Sequence, residues 1–393
     1  MDKKLVVAVD LGNSKIAVAV AHKINETLDL IDLVQVPSSN LIKNGVVQNS
    51  NNLYLKINDI IEKIATNHKI RIGKFAFAVA PHTLASKSIN VECSAGNDLK
   101  NAESNLKSKA KNIEIANRQI IDVIPIEMSF GVNARGNFLA LSLTNSVKEL
   151  TERATSTLKT SFETERLITP LVEAEMFLSE EQKKNGCALI DFGAGCTSVA
   201  VYKDGCLRLC ITVPLGGNHI TSDIAARYRV DFNTAEQIKT KIGVCSSKFL
   251  DTDKAFNINE TIDIQQKELS EVICERQSET VNFILQEFEN QSITIENLVI
   301  TGGASKLECL PEFLEEAFAK EVNSVNLTIK TNGTEQKVSA ENALLISLLK
   351  KCDMDCTKII GKSKGGKETR ETKKSGGWIT LDVFKDNETS LDN

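Results

Sequence analysis

The 393-residue sequence has no apolar stretch that approaches the roughly 18 residues a membrane-spanning helix needs. It also has no excess of positive charge, because 47 basic residues face 52 acidic ones and leave a net charge of −5. A general nucleic-acid binder collects phosphates with a positive field, which this chain does not have. We therefore expect no nucleic acid among its partners.

Metal-binding cysteine motifs are also missing. The ten cysteines are scattered, and the close pairs Cys206/Cys210 and Cys352/Cys356 have neither a second pair nor a histidine at zinc spacing. The first residues lead directly into an alternating apolar run, which predicts a β-strand and not a signal peptide. Free thiols in a reducing cytoplasm are therefore expected.

Apolar runs alternate with helical periodicity along most of the chain, which predicts an α/β fold with two or three domains. Strands are predicted at 5–9, 16–21, 28–36, 75–80, 188–190, 199–203, 207–213 and 298–300. Helices are predicted at 52–67, 147–162, 170–181, 220–228, 234–242, 265–289 and 343–349. The less regular stretch 81–146 combines strand candidates with a charged helix at 99–112 and predicts a small inserted αβ subdomain.

The most informative feature is a duplicated strand–turn–strand pattern. Its turns are Asp10-Leu11-Gly12-Asn13-Ser14-Lys15 and Asp191-Phe192-Gly193-Ala194-Gly195-Cys196-Thr197. Such a turn directs several backbone N–H groups into one concavity that suits an anion, and glycine removes the Cβ that would block a phosphate. Hydroxyls of Ser14, Thr197 and Ser198 would add donors. Two such turns facing each other across a cleft predict a site for a di- or triphosphate.

The two aspartates imply a cation. Asp10 and Asp191 stand at strand ends, where a carboxylate repels a phosphate unless Mg²⁺ and its bound waters lie between them. We therefore predict that both hold Mg²⁺ through water. A single Asp-x-Gly turn is usually an ordinary hairpin, but two copies in matching strand contexts favour the phosphate site.

Two further glycine-rich segments extend the predicted site. A strand at 298–301 runs into Gly302, Gly303 and Ser305, where a flat ring can approach the backbone closely. Gly216 and Gly217 precede a helix, and Glu236 and Lys239 lie three residues apart on the next helix, within reach of a ribose. A plain strand-to-helix loop and a surface ion pair are the alternatives for these segments.

Together these motifs resemble the actin/Hsp70/sugar-kinase superfamily and, within it, the FtsA family of bacterial cell division proteins. The resemblance rests on the stretches 10–15, 186–193, 213–225 and 301–307, and it covers about residues 4–350. It implies an actin-like duplicated ribonuclease-H-type fold, with two lobes around a cleft that binds ATP and Mg²⁺. It also implies a 1C-type subdomain inserted after Ala80.

The resemblance further implies a division into subdomains. Residues 1–80 and 147–187 would form subdomain 1A, 81–146 the 1C-like insertion, 188–230 and 291–351 subdomain 2A, and 231–290 subdomain 2B. Residues 352–375 are predicted to be a flexible basic linker, because 358–374 carry seven basic and two acidic residues and almost nothing apolar. Residues 376–393 form a C-terminal tip.

Departures from the family pattern affect the phosphate turns. The family usually has Gly-Gly-Gly-Thr-Thr where this chain has Ala194 and Cys196 within 193–197, so one glycine and one hydroxyl are lost. Where superfamily members place Glu-Pro near the attacking water, this chain has Thr169-Pro170, and Glu173 one helical turn further on is the candidate to orient water. We therefore expect ATP binding with slow or negligible hydrolysis.

The C-terminal tip is a candidate membrane-targeting segment. Family members end in a short amphipathic helix on the inner membrane face, and the basic linker suits an anionic leaflet. Trp378, Leu381 and Phe384 share one helical face, but Ile379 and Val383 lie opposite. A disordered tail or a peptide for another protein is the alternative.

By resemblance, the chain is a cell division protein that polymerises and ties the FtsZ ring to the cytoplasmic membrane, with the FtsZ C-terminal peptide docking on subdomain 2B. An actin-like assembly factor for pili or secretion is the main alternative. A small-molecule kinase of the same superfold would need a catalytic Asp beside a substrate pocket, and no motif supplies one.

Overall fold

The computed structural model describes residues 3–94, 99–246, 254–259, 262–331 and 333–357. The chain begins with β1 (Lys4–Leu11), β2 (Lys15–Ile24), β3 (Thr27–Pro37), β4 (Ile42–Lys43), β5 (Val46–Val47), α1 (Ser50–His68) and β6 (Lys74–Val79). The inserted part contains β7 (Ala85–Ser94), α2 (Leu99–Lys111), β8 (Arg118–Ser129) and β9 (Asn133–Thr144). The predicted C-terminal tip, and the linker from residue 358 on, lie outside the described residues.

The chain then returns to the body through helices and enters a second lobe. The return consists of α3 (Asn145–Leu158), β10 (Glu163–Ile168), α4 (Thr169–Phe177) and α5 (Glu180–Asn185). The following elements are β11 (Cys187–Phe192), β12 (Thr197–Lys203), β13 (Cys206–Val213), α6 (Gly217–Tyr228), α7 (Phe232–Ile242), β14 (Ala255–Asn259), β15 (Ile262–Gln265) and α8 (Gln266–Asn290). The last are β16 (Asn297–Thr301), α9 (Leu310–Phe318), β17 (Glu321–Ser324), β18 (Leu327–Thr331), β19 (Thr334–Val338) and α10 (Ala343–Lys351).

Two sheets repeat the same arrangement. The first has the order β10-β6-β1-β2-β3-β18-β19 and the second the order β13-β12-β11-β16-β17. In each sheet the strand before the Asp-x-Gly turn pairs antiparallel with the strand after it and parallel with a later strand, β6 or β16. The duplication read from the sequence is therefore a duplication of the fold.

Helices cover the sheets because their apolar residues recur at helical spacing. In α1 the buried residues Leu53, Ile57, Ile60, Ile61 and Ile64 form one stripe that packs in the first core. Central strands such as β1 have fully buried residues in succession, as expected for a sheet covered on both faces. Within the described residues no helix is long and apolar enough to cross a bilayer.

The inserted subdomain has its own sheet, of order β7-β9-β8, and its own small core around Leu106 and Phe138. It also closes the exposed edge of the second sheet. The Thr212 N–H donates to the Leu84 carbonyl at 3.0 Å, and the Cys210 N–H donates to Ser86 Oγ at 2.8 Å. The insertion thereby ties the edge strand β13 to the rest of the protein.

The structure corrects three sequence-based predictions. The helix predicted at 170–181 is two helices, because Ser179 caps α5 in a reciprocal capping box with Gln182. Residues 291–351 were grouped with the second lobe, but β18 and β19 extend the first sheet and α10 packs in the first core. The reason is that β3 offers an open edge, along which β18 pairs in parallel. The linker was predicted to begin at residue 352, but Cys352 and Cys356 are buried in the first core, and the Cys356 N–H donates to the Leu5 carbonyl at 2.7 Å. The remaining subdomain boundaries stay predictions.

Candidate functional site

The two duplicated turns line a single cavity of about 570 Å³. The β1–β2 turn contributes residues 10–15, and the β11–β12 turn contributes Asp191 and residues 193–196. The volume lies in the range of about 300–1,000 Å³ typical of small-molecule sites. Backbone segments that are far apart in sequence therefore meet around one space large enough for a nucleotide.

The two turns are built alike in atomic detail. A Cβ on Gly12 would lie 2.7 Å from the Lys15 carbonyl oxygen, and a Cβ on Gly193 would lie 2.7 Å from the Cys196 carbonyl oxygen. Each turn therefore closes too tightly for any residue with a side chain at that position. The turns also touch each other, since a Cβ on Gly195 would lie only 1.7 Å from Asn13 Nδ2.

Three carboxyl groups stand together in the cavity. Burial raises the pKa of Asp10 to about 6, partly offset by Lys15, and burial together with Asp10 raises the pKa of Asp191 to about 7. Burial, Asp191 and Asp10 raise the pKa of Glu173 well above its usual range. Glu173 is 1% exposed, and its Oε2 has no hydrogen-bond partner. A cation bound nearby, even through water, would favour the ionised forms of these carboxyl groups.

The loop after β16 forms another wall of the cavity and lies close to Asp191. Gly302 has a φ of +90°, and a Cβ there would lie 2.2 Å from Asp191 Oδ1 and 2.5 Å from the Phe192 carbonyl oxygen. Gly303 lines the same wall. Glycine is needed here both for the backbone conformation and for the close approach of a carboxylate.

A group of residues that the sequence analysis missed lies beside Lys15. Lys15 Nζ donates to Asn342 Oδ1 at 2.9 Å, and Gln35 Nε2 donates to the same oxygen at 2.8 Å. Glu341 pairs with Lys306 at 3.1 Å. Asn342 belongs to a short 3-10 turn, Ala340–Asn342, and no glycine or repeat marks that turn in the sequence.

Most of the predicted site residues come together at the cavity. Those lining it are Asp10, Gly12, Asn13, Ser14, Lys15, Glu173, Asp191, Gly193, Gly195, Cys196, Gly217, Glu236, Lys239, Gly302 and Gly303. Ser198 lines it as well. Burial and Asp191 raise the pKa of the Cys196 thiol to about 12, so it is a neutral thiol and a weak donor. That any of these residues binds a ligand stays a prediction.

Three residues that were predicted to bind a ligand instead stabilise the loops around the cavity. The buried Thr197 hydroxyl donates to the Leu215 carbonyl at 2.9 Å, and the buried Ser305 hydroxyl donates to the Gly302 carbonyl at 2.7 Å. A Cβ on Gly216 would lie within 2.8 Å of three backbone atoms of the second turn. None of the three lines the cavity, because each is used to hold a neighbouring loop.

The N–H donors of Lys239 are also used within the protein. Its Nζ donates to the Gly217 carbonyl at 3.0 Å, to Thr221 Oγ1 at 2.8 Å and to Glu236 Oε2 at 2.7 Å. An ammonium group has three protons, so these partners use all of them. Glu236, with a side chain that is 41% exposed, is the more accessible member of the pair, and its contact with a ligand stays a prediction.

Comparison with known sequences shows that this chain is similar to cell division proteins of the FtsA family. A family profile described as cell division protein FtsA matches residues 188–342. The FtsA of Buchnera aphidicola subsp. Baizongia pistaciae is 24% identical over 380 residues, covering 85% of this chain and 88% of that relative. The FtsA of Bacillus subtilis is 25% identical over 342 residues, covering 78% of this chain and 75% of the relative.

Solved structures share the architecture. The PilM–PilN type IV pilus biogenesis complex contains a chain that matches with a TM-score of 0.65 and 16% identity, over 88% of this chain and 97% of that one. MreB5 of Spiroplasma citri bound to ADP matches with a TM-score of 0.53 and 13% identity, over 88% and 94% of the two chains. At these identities the likeness concerns the fold alone, and it confirms the predicted actin-like class.

Proposed function

We propose that this chain, which is similar to the FtsA cell division proteins and has an actin-like fold, is an actin-like cell division protein that binds ATP with Mg²⁺ between its two turns. The observation that carries the proposal is the shared cavity, into which both copies of the duplicated turn project. Backbone N–H groups of the two turns would hold the phosphates from opposite sides. The bound state would hold the two lobes in one relative orientation.

Mg²⁺ would be held mainly through water. Among the described residues no group of three His, Cys, Asp or Glu side chains is placed to hold a metal directly. Asp10 and Asp191 would each contact the ion's bound waters, and the ligand's phosphates would supply the remaining oxygens. When bound, the ion neutralises phosphate charge next to the two carboxylates.

We expect hydrolysis to be slow, because the environment of Glu173, the candidate to orient water, disfavours its ionised form. Burial and the nearby Asp191 and Asp10 raise the pKa of Glu173, which favours its protonated form. A protonated carboxyl cannot accept a proton from water. Release of phosphate from ATP, followed at saturating nucleotide, should be far below one turnover per second, and many turnovers per second would contradict the proposal.

The finer proposal concerns FtsZ, filaments and the membrane. The predicted 2B region contains α7 and α8, and each exposes one large aromatic side chain, Phe232 and Phe283, both 44% exposed. Phe283 lies in a shallow groove on α8 with Glu279 and Asn282. An apolar residue in a polar rim is a typical anchor point for a peptide. The FtsZ C-terminal peptide would dock at this groove. Filaments of the protein would present many copies of the docking site. The basic C-terminal tail would hold the filaments at the inner membrane face.

A pull-down with the FtsZ C-terminal peptide tests this assignment. Phe283→Ser should abolish capture if the peptide uses the groove. Leu55→Ser is the matched control, because Leu55 is an exposed apolar residue, 61% accessible, on α1 of the other lobe. No capture by the unmodified protein would favour the assembly-factor alternative, and phosphorylation of a small-molecule panel would favour the kinase.

A further inference from the structure

The turn Ala340–Asn342 connects both lobes beside the cavity. Glu341 Oε2 lies 3.1 Å from Lys306 Nζ, which belongs to the loop after β16 in the second lobe. Glu341 Oε1 lies 3.9 Å from Lys15 Nζ, which belongs to the first turn. One carboxylate therefore stands between two ammonium groups that come from opposite walls of the cavity.

These side chains have the freedom to change partners. Those of Glu341 and Lys306 are 35% and 55% exposed, so the pair is solvated and is weakly held. Lys15 Nζ has three protons, and in the described part of the chain its hydrogen bond goes to Asn342. Donors of Lys15 are therefore available to an anion inside the cavity.

Asn342 acts on Lys15 differently from Glu341, because it forms a hydrogen bond with Lys15 but carries no charge. Its amide oxygen is neutral and accepts from both Lys15 and Gln35, at 2.9 and 2.8 Å. The hydrogen bond from Gln35 on β3 fixes the amide, and the amide in turn fixes the direction of the lysine. Asn342 thus orients Lys15 without competing for its charge.

We propose that Glu341 is an internal counter-ion that the phosphate groups of a bound nucleotide displace from Lys15 and Lys306, whereas Asn342 keeps Lys15 directed into the cavity. The inference rests on the proposed nucleotide site and deepens it. Because Ala340–Asn342 leads directly into α10, the exchange loosens a contact of the second lobe with the segment that closes the first core. Glu341 and Asn342 are positioning residues and would not take part in chemistry.

Calorimetric titration with ATP and with adenosine, at fixed Mg²⁺, tests the proposal on the full chain. Glu341→Gln removes a like charge near the phosphates and should tighten ATP binding by about 3- to 10-fold, as expected for one charge at roughly 4 Å in a solvated site. The gain should shrink in high salt. Asn342→Ala should weaken ATP binding. Adenosine, which has no phosphate, should bind both variants as it binds the unmodified protein.

Glu163→Gln is the matched control, because it removes the same charge from a lysine pair at the start of β10, away from the cavity. It should leave ATP affinity unchanged. Equal changes for ATP and adenosine, or no change in either variant, would overturn the inference while the nucleotide site stands. If the unmodified protein binds no ATP at all, the proposed function fails and this inference fails with it.

Discussion

At the scale of single residues, glycine determines the shape of the site. Gly12 and Gly193 make the same close contact with the carbonyl three residues later, and Gly302 lies against Asp191. These positions were predicted from the sequence, because a repeated Asp-x-Gly turn and a Gly-Gly pair are visible without any structure. The roles of Thr197 and Ser305 were not, because a sequence does not tell whether a hydroxyl points into a cavity or back to its own backbone.

Gly302→Ala should damage both stability and binding. The new Cβ would meet Asp191 Oδ1 at 2.2 Å in a backbone conformation with φ +90°. We expect a loss of about 1–3 kcal/mol in the free energy of unfolding, by overpacking and backbone strain, together with weaker ATP binding. Urea denaturation and ATP titration measure the two effects.

Gly131→Ala is the control for that substitution, since Gly131 has only one atom within 4 Å of an added Cβ, at 3.8 Å. Its free energy of unfolding should change by less than about 0.5 kcal/mol. If the two alanine variants were equally stable and bound ATP equally well, the packing argument at Gly302 would be wrong.

Glu165 should make stability depend on pH. Burial and Asp353 raise the pKa of Glu165 above its usual value, despite Lys351 and Lys23 nearby. A raised pKa means that the folded state holds the proton more tightly, so stability is lost as pH rises from the ordinary value through the raised one. Glu165→Gln stays neutral and should avoid this loss.

The melting temperature of Glu165→Gln relative to the unmodified protein should therefore increase as the pH rises above the ordinary pKa of a glutamate, about 4.3. Glu163→Gln, two residues earlier on β10 and with a side chain 63% exposed, should follow the unmodified protein across that range. If the difference in melting temperature between Glu165→Gln and the unmodified protein did not change with pH, the environment of Glu165 would not favour its neutral form.

At the scale of elements, the C-terminal end of α10 is stabilised by a buried lysine from β2. Lys23 is 9% exposed, and its Nζ donates to the carbonyls of Lys350 and Cys352 and to the Asp353 carboxylate, the last at 3.1 Å. The last carbonyls of a helix have no hydrogen-bond partners within the helix. A cation at this end also interacts favourably with the negative end of the helix dipole. This lysine therefore ties the end of α10 to β2.

Lys23→Met should lower the free energy of unfolding by about 2 kcal/mol, because a charged donor is lost and buried carbonyls are left unpaired. Lys4→Met is the comparison, since Lys4 Nζ also donates to this segment, at the Asp353 carbonyl, in a solvent-exposed hydrogen bond. Its effect should stay below about 0.5 kcal/mol. Equal effects of the two in urea denaturation would refute the capping role.

Element identity was largely predictable and element boundaries less so. The apolar stripe of α1 and the alternating run of β3 were visible in the sequence because their periods are set by local geometry. The break between α4 and α5 depends on one capping box at Ser179, which the apolar pattern of 170–181 obscures. The short β18 and β19 have mostly exposed residues, so periodicity gave no signal for them.

At the scale of the whole molecule, the repeat was the strongest sequence signal. It predicted two similar sheets, and their turns do meet at one cavity. What it could not predict is that the chain crosses back after β17 to complete the first sheet and the first core. That return places Ala340–Asn342 beside Lys15, a contact between residues 327 positions apart that no local pattern encodes.

The most direct test is a crystal structure of the protein soaked with Mg²⁺ and a non-hydrolysable ATP analogue. The triphosphate should lie between the two turns, within hydrogen-bonding distance of backbone N–H groups near both Gly12 and Gly193, with Mg²⁺ bound through water to Asp10 and Asp191. A nucleotide that contacts only one turn, or that binds outside the cavity, would contradict the proposed site.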